Sequence, residues 1–321
     1  MNRTLNIFVS GVSGIVGYGV VKTLLNSKHA LNITGTSIYD NHIGTELCHK
    51  FIKVPKTNTS NYLDWFQNHF SQYSYDLVIP GIEDDMKAWN KIRSQNKEIK
   101  FLLNNESLIN LCSDKWHFFK KLKEYDISCK IDSCVDGSYH SIKEKFGKRF
   151  VAKPRDGYGS KDFRILNSQI EFESVQKELG ERALYQKYIP DDEGEYTCSV
   201  FFDYDSQQCS KIAFKRELSK DGYTNYAETV DFSVFQNSVD SLAKHLKPIG
   251  PTNFQFRVFG GNPYLLEINP RISSSTSIKS TFGYNEAEMS IDYFVFKKKL
   301  NQPKTLKGKS FRYTEDYTVY E

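Results

Sequence analysis

The sequence predicts a mixed chain: α/β over its first third, then α+β. Three observations carry this. Residues 1–104 alternate short apolar runs with segments of helical spacing, the pattern of a parallel sheet covered on both faces. Residues 105–189 change texture into a compact α+β unit. Residues 190–321 are dominated by long strands with two helices over them. These spans are the expected domains.

In the first domain, residues 5–10 form an apolar run and residues 16–25 have helical spacing. Residues 31–38 and 51–54 read as strands, and residues 61–70 as a helix. Residues 76–80 (DLVIP) are a buried-strand run, residues 84–93 a helix, and residues 99–103 a last strand. In the second domain a helix over 113–125 leads through irregular sequence to a strand at 150–154, a glycine-containing loop and a strand at 163–166. A helix at 169–179 and a strand at 183–189 complete it. In the third domain, strands at 196–202, 211–216, 253–259 and 264–269 pair with helices at 234–246 and 286–296. The polar tail after residue 304 shows no further domain signal. There is no internal repeat.

Composition excludes several classes. Hydrophobic residues are 39%, aromatics 14% and charged residues 26% with both signs mixed, which is a folded composition. No apolar run approaches the roughly 18 residues of a membrane span. The net charge of +4 comes from scattered residues rather than a basic face, so no nucleic-acid partner and no membrane partner is expected. Lys297, Lys298 and Lys299 read as a helix C-terminal cap. Six cysteines lack CxxC spacing and read as reduced thiols in a cytoplasmic protein.

Four segments carry chemistry. Gly11, Gly14 and Gly17 follow the first strand in GxxGxxG spacing, not the dinucleotide GxGxxG. With Asp40 as a loose ribose partner, this leaves a nicotinamide-dependent oxidoreductase as a rival. A plain strand-to-helix turn lining a pocket fits better. Lys153 sits near a strand end before a loop with Gly157, Gly159, Ser160 and Lys161; such a lysine projects into a cleft, and such a loop can fold over phosphates. An ordinary basic hairpin loop is the alternative. The strand at 183–189, followed by Glu195, could border a purine and a ribose or be a simple sheet edge. The strongest segment is Gln255 to Arg271. A hairpin centred on Gly261 places Gln255 opposite Glu267, give or take one residue. Glu267 and Asn269, two apart on one strand, share its face. Three oxygen donors then suit a hard divalent cation, and Arg271 could fork onto a phosphate.

In order and spacing these segments resemble the ATP-grasp superfamily, and most closely its branch of carbamoyl phosphate synthase large subunits and single-copy relatives. The resemblance covers residues 105–296; the first hundred residues look like the Rossmann-like pre-ATP-grasp parallel-sheet domain that precedes it. It implies the ATP-grasp fold and the cofactors ATP and Mg2+, with Mn2+ as a substitute. Lys115 and Lys153 would neutralise inner phosphates under residues 156–161. Gln186, Lys187, Tyr188 and Ile189 would border adenine, and Glu195 would hold the ribose. Gln255, Glu267 and Asn269 would coordinate the metal, with Arg271 at the transferring phosphoryl group. Lys215 and Arg216 could face the substrate carboxylate or lie on a solvated edge strand.

The implied activity is a carboxylate–amine ligase acting through an acyl phosphate and releasing ADP and phosphate. Its partners would be a small-molecule carboxylate, an amine and a second copy in a homodimer. The chain has one ATP-grasp copy where carbamoyl phosphate synthase has two, so its reaction must differ. A nucleotide-binding regulatory protein is the second rival; the complete donor set argues against it. The seven histidines show no motif.

Overall fold

The computed structural model describes residues 3–157 and 163–320. The chain forms three sheets. The first is parallel, with strands β1 (Leu5–Val9), β2 (Leu31–Ser37), β3 (Lys50–Lys53) and β4 (Leu77–Ile79) in the order β3-β2-β1-β4. Helices α1 (Ile15–Leu24), α2 (Ile43–Glu46), α3 (Tyr62–Gln72) and α4 (Glu83–Ile92) cover it. Alternation along β1 shows why. Leu5, Ile7 and Val9 pack with Val20 and Val21 of α1, whereas Phe8 packs with Phe66 of α3 and Trp89 of α4. Both faces are buried, as parallel sheets require. The expected strand at residues 99–103 reduces to one bridge between Phe101 and Val78.

Helices α5 (Glu106–Cys112) and α6 (Lys115–Glu124) lead onward, capped by the side chains of Asn105 and Asp114. The predicted helix at 113–125 is α6; α5 is an addition. A small antiparallel sheet follows: β5 (Ser133–Cys134), β6 (Phe150–Pro154), β7 (Arg164–Leu166) and β8 (Ala183–Lys187), in the order β5-β8-β6-β7. Helices α7 (Tyr139–Phe146) and α8 (Gln169–Leu179) pack on it. α8 starts with a capping box between Ser168 and Glu171.

The third sheet is antiparallel. Its strands are β9 (Glu195–Phe202), β10 (Gln208–Leu218), β11 (Thr224–Val230), β12 (Gly250–Phe259), β13 (Asn262–Asn269) and β14 (Lys309–Phe311), in the order β13-β12-β9-β10-β11-β14. Helices α9 (Ser233–Leu246), α10 (Thr276–Thr281) and α11 (Glu286–Ser290) flank it. The predicted helix at 286–296 is α11 continued by a π-helical turn at Ile291–Val295. The polar tail supplies β14, which pairs with β11. Among the described residues no helix is long and apolar enough to cross a membrane.

Behind this sheet lies an ion pair between Lys279 of α10 and Glu286 of α11, both fully buried. Burial pushes the Lys279 ammonium down, and Glu286 opposes that shift. Lys279 also donates to Ser199 Oγ at 2.7 Å and Ser273 Oγ at 3.0 Å, tying the central strand to the segment after β13. A buried charge left alone is costly, while an apolar pair of similar volume is not. Lys279→Met or Glu286→Leu alone should destabilise the protein by about 3–5 kcal/mol. The double replacement should recover most of that loss. Urea unfolding of the three variants checks this; additive losses in the double variant would reject it.

Candidate active site

Gly260 and Gly261 form the β12–β13 turn with φ of 59° and 72°. Both central residues lie in the left-handed region, as a two-residue hairpin turn demands. From the turn, Phe259 pairs with Asn262, Arg257 with Tyr264 and Phe256 with Leu265. The register then shifts, so that Gln255 pairs with Glu267 and Asn253 with Asn269. This β-bulge leaves Leu266 as the extra residue. Leu266 and Glu267, adjacent in sequence, therefore both line the cleft.

The predicted oxygens meet on this face. Asn269 Nδ2 donates to Glu267 Oε1 at 2.9 Å. Arg271 donates to Asn269 Oδ1 at 3.2 Å, and Arg216 to Gln255 Oε1 at 2.5 Å. Two amides and one carboxylate form a hard donor set that suits Mg2+ completed by water and phosphate oxygens. Among the described residues no group of three His, Cys, Asp or Glu could hold a metal.

Beside it, Glu195 on β9 stands in register with Arg216 on β10 and Arg257 on β12. Arg216 Nη2 donates to Glu195 Oε1 at 2.7 Å, and Arg257 Nη2 to Oε2 at 3.1 Å. Arg257 also donates to the Ile189 carbonyl at 3.2 Å. The solvated-edge alternative for residues 215–216 fails, because β10 is interior. Arg216 is 6% exposed and lines the cleft. Lys215 points to the other face, its ammonium 6.0 Å from the Tyr196 ring, and does not join the site.

The cleft has two lobes, of about 320 and 260 Å3, which share Lys115, Gly157, Gln255, Leu266 and Glu267. The smaller lobe lies against the small sheet and is lined by Lys153, Gln186, Lys187, Ile189, Glu195 and Arg257. Lys115 donates to the Gly157 carbonyl at 2.8 Å. Burial pushes the Lys153 ammonium down to about 8, helped by the Lys115 charge and opposed by Glu267. Burial also lowers Lys115, against the pull of Glu267 and Glu83. Gln186 is buried and donates to Ser133 Oγ at 2.9 Å. The Tyr188 ring stacks on the Arg149 guanidinium at 4.5 Å and is not part of the lining. Gly159, Ser160 and Lys161 lie outside the described residues.

The larger lobe lies against the parallel sheet, with Gly14, Ile82, Glu83 and Arg271 in its lining. The Gly11–Gly17 turn is thus a pocket wall. A Cβ on Gly17 would sit 2.4 Å from the Gly11 carbonyl oxygen, so glycine there serves the close packing of α1. Asp40 pairs with Lys53 at 2.7 Å on the surface. Sequence reasoning missed Arg257 and Glu83. Arg257 was accessible to it, since it shares the Gln255 face two residues on; Glu83 enters only through the placement of the first sheet.

A family model described as the ATP-grasp domain matches residues 112–275, just over half of the chain. The fold is similar to N5-carboxyaminoimidazole synthetase from Staphylococcus aureus complexed with ADP (TM-score 0.76, 16% identity, 95% of this chain and 81% of that one). It is similar to the biotin carboxylase domain dimer of Hydrogenobacter thermophilus 2-oxoglutarate carboxylase, in complex with MgADP, ADP and bicarbonate (0.74, 14%, 95% and 73%). It is also similar to L-amino acid ligase from Bacillus licheniformis (0.69, 16%, 92% and 74%). No curated protein sequence matches the chain.

The Lys153 shift gives a signed pH dependence. Between about pH 8 and the ordinary lysine value of 10.5, the unfolded chain binds more protons than the folded one, so this group's contribution to stability rises with pH. Lys153→Met should exceed wild type in stability by on the order of 1–2 kcal/mol at pH 7. That gap should close toward pH 10. Chemical unfolding of both proteins across this range checks it; a gap that widens with pH would reject the assignment.

Proposed function

The chain belongs to the ATP-grasp family and is an ATP-grasp enzyme, and on that premise we propose that it is an ATP- and Mg2+-dependent carboxylate–amine ligase. The observation that carries this is the Gln255, Glu267 and Asn269 face at the junction of the two lobes. Lys115 and Lys153 mark one lobe for phosphates, and Arg271 marks the other for a carboxylate. Nucleotide complexes of the similar S. aureus and H. thermophilus structures support the same assignment.

In this reading Gln186, Lys187 and Ile189 border the base. Glu195, held between Arg216 and Arg257, presents fixed acceptor oxygens to the ribose. Asp156 and Gly157, in the lining of the smaller lobe, face the phosphates. Gln255, Glu267 and Asn269 hold Mg2+, which supplies charge neutralisation at the terminal phosphates; Mn2+ fits the same donors. Arg271 steadies the oxygens of the transferring group. A substrate carboxylate oxygen bonds to the γ-phosphorus, and the bond to the β–γ bridging oxygen breaks, its electron pair leaving with ADP. The amine then attacks the acyl carbon, phosphate leaves, and the amine loses a proton. Little covalent help from the protein is needed.

The reading extends to residues 1–104, 105–189 and 190–321 as domains, supported by the three separate sheets. It places the protein in the cytoplasm, supported by six free cysteines. It pairs two copies in a homodimer, supported by the dimeric H. thermophilus domain. Its likeness to carbamoyl phosphate synthase rests on the Gln255 to Arg271 motif.

Glu267→Gln should lower ADP release by at least about a hundredfold at saturating Mg2+ while the thermal midpoint stays near wild type. Wild-type release in the variant would dismiss Glu267 as a metal ligand. Nucleotide separation after turnover should give ADP and phosphate. AMP and pyrophosphate would place the chain in an adenylating class.

A further inference from the structure

We propose that the larger lobe takes an amino acid with an apolar side chain, its carboxylate toward Arg271 and its ammonium toward Glu83. This rests on the ligase reading above and names the substrate class of the same site.

The lobe, at about 320 Å3, lies at the small end of ligand pockets, which run to about 1,000 Å3. Ile15, Val16, Ile82, Met86, Phe118 and Leu266 give it an extensive apolar lining. Such a lining stabilises a hydrocarbon side chain and is wasted on a one-carbon oxyanion. The charges stand on opposite walls. Arg271 comes from the segment after β13, and Glu83 from the first turn of α4. Both side chains line this one lobe. Arg216, the other guanidinium in the lining, is already committed to Glu195 and Gln255.

This polarity fixes the direction of a zwitterion. The reacting carboxylate must sit by Arg271, next to Glu267 and the phosphate-binding lysines. A carboxylate at Glu83 would be repelled. A positive group at Glu83 is favoured twice, by Coulomb attraction and by the low dielectric of a side chain that is 15% exposed. The carboxylate itself is supported by its place at a helix N-terminus. Lys87 holds one oxygen of this carboxylate, with Nζ 2.7 Å from Oε1, and among the described residues Oε2 is left for the substrate ammonium. Glu83 thereby becomes a specificity-determining residue for the amine of the substrate.

The test measures ADP release and hydroxamate formation with ATP–Mg2+ and hydroxylamine, which captures acyl phosphates. Leucine, methionine and phenylalanine are compared with their deamino counterparts, 4-methylpentanoate, 4-(methylthio)butanoate and 3-phenylpropionate. At least one amino acid should support turnover with a KM about tenfold or more below that of its deamino partner. Glu83→Gln should raise that KM about tenfold to a hundredfold, leave the deamino KM unchanged and keep wild-type thermal stabilisation by ATP–Mg2+. Lys87→Gln, which frees Glu83, should preserve the preference for the amino acid. Equal KM values for both series in wild type, or equal losses for both in Glu83→Gln, would overturn the proposal. If neither series reacts while ATP–Mg2+ still stabilises the protein, the amino-acid assignment falls and the nucleotide site stands. If ATP–Mg2+ fails to stabilise wild type, the ligase reading falls, and the substrate assignment with it.

Discussion

Gln255 meets Glu267 only because β13 carries one residue more than β12 between the Gly260–Gly261 turn and that pair. An unbulged hairpin would put Leu266 opposite Gln255 and turn Glu267 to the far face. The bulge therefore decides whether Gln255, Glu267 and Asn269 share one face. It also explains how a carboxylate sits within the run Tyr264 to Pro270. Glu267 accepts a hydrogen bond from Asn269 and faces the cleft rather than the core. The apolar residues around it, Leu265 and Ile268, hold the strand against the main core.

Once that face exists, its neighbours must balance charge. Lys115, Lys153, Arg216, Arg257 and Arg271 all approach one cleft. Unpaired, they would repel one another in a partly desolvated space. Glu195 answers this by standing between two arginines on adjacent strands, so both guanidinium groups are held in place without a ligand. Among the described residues Lys153 has no carboxylate hydrogen-bond partner, and burial depresses its ammonium instead. The two outcomes divide the labour. Arg216 and Arg257 are fixed by pairing with Glu195, and Lys153 is left with a depressed ammonium in the smaller lobe.

Much of this was legible in the sequence. The Gln255 to Arg271 hairpin could be read because turn glycines and strand alternation are local signals; the expected pairing of Gln255 with Glu267 is observed, with the bulge making up for a turn centred between Gly260 and Gly261. Gln186, Lys187, Ile189 and Glu195 could be placed together because β8 and β9 follow each other closely. Other features depend on tertiary placement. Glu83 opens an ordinary amphipathic helix and gains meaning only where that helix meets Arg271. Arg216 reads equally as facing the substrate carboxylate or as a solvated edge, because β10 alternates Lys215, Arg216 and Glu217, and only the register with β9 and β11 shows which of them faces inward. Helix α7 escaped notice because it buries little, with Ile142 and Phe146 on its inner face. Strand β14 escaped because three residues in a polar tail carry no periodicity.

The two walls of the larger lobe are held together by more than packing. Lys28 and His29, between α1 and β2, reach Asp292 in the π-helical turn at 2.5 and 3.1 Å. The backbone N–H of Lys28 donates to Glu288 at 2.9 Å, and Asn104 donates to Thr252 on β12 at 2.8 Å. Beneath these, Ala287 and Ile291 join the same cluster as β1 and α1. The parallel sheet thus shares a core with the helical segment that flanks the large antiparallel sheet. The small sheet keeps its own, formed by Phe150, Phe172 and Tyr185 with their neighbours. It is joined to the large sheet through Leu184 of β8, which lies in the main core, and at the cleft through hydrogen bonds from Lys115 to Gly157, Arg155 to Asp114 and Arg257 to Ile189. A shared apolar core resists shear, whereas a few hydrogen bonds at an opening can be exchanged for others. The larger lobe lies between the first sheet and the segment after β13, whose Ile272 joins that sheet's own cluster. The smaller lobe lies against a sheet whose separate cluster meets the main core at Leu184.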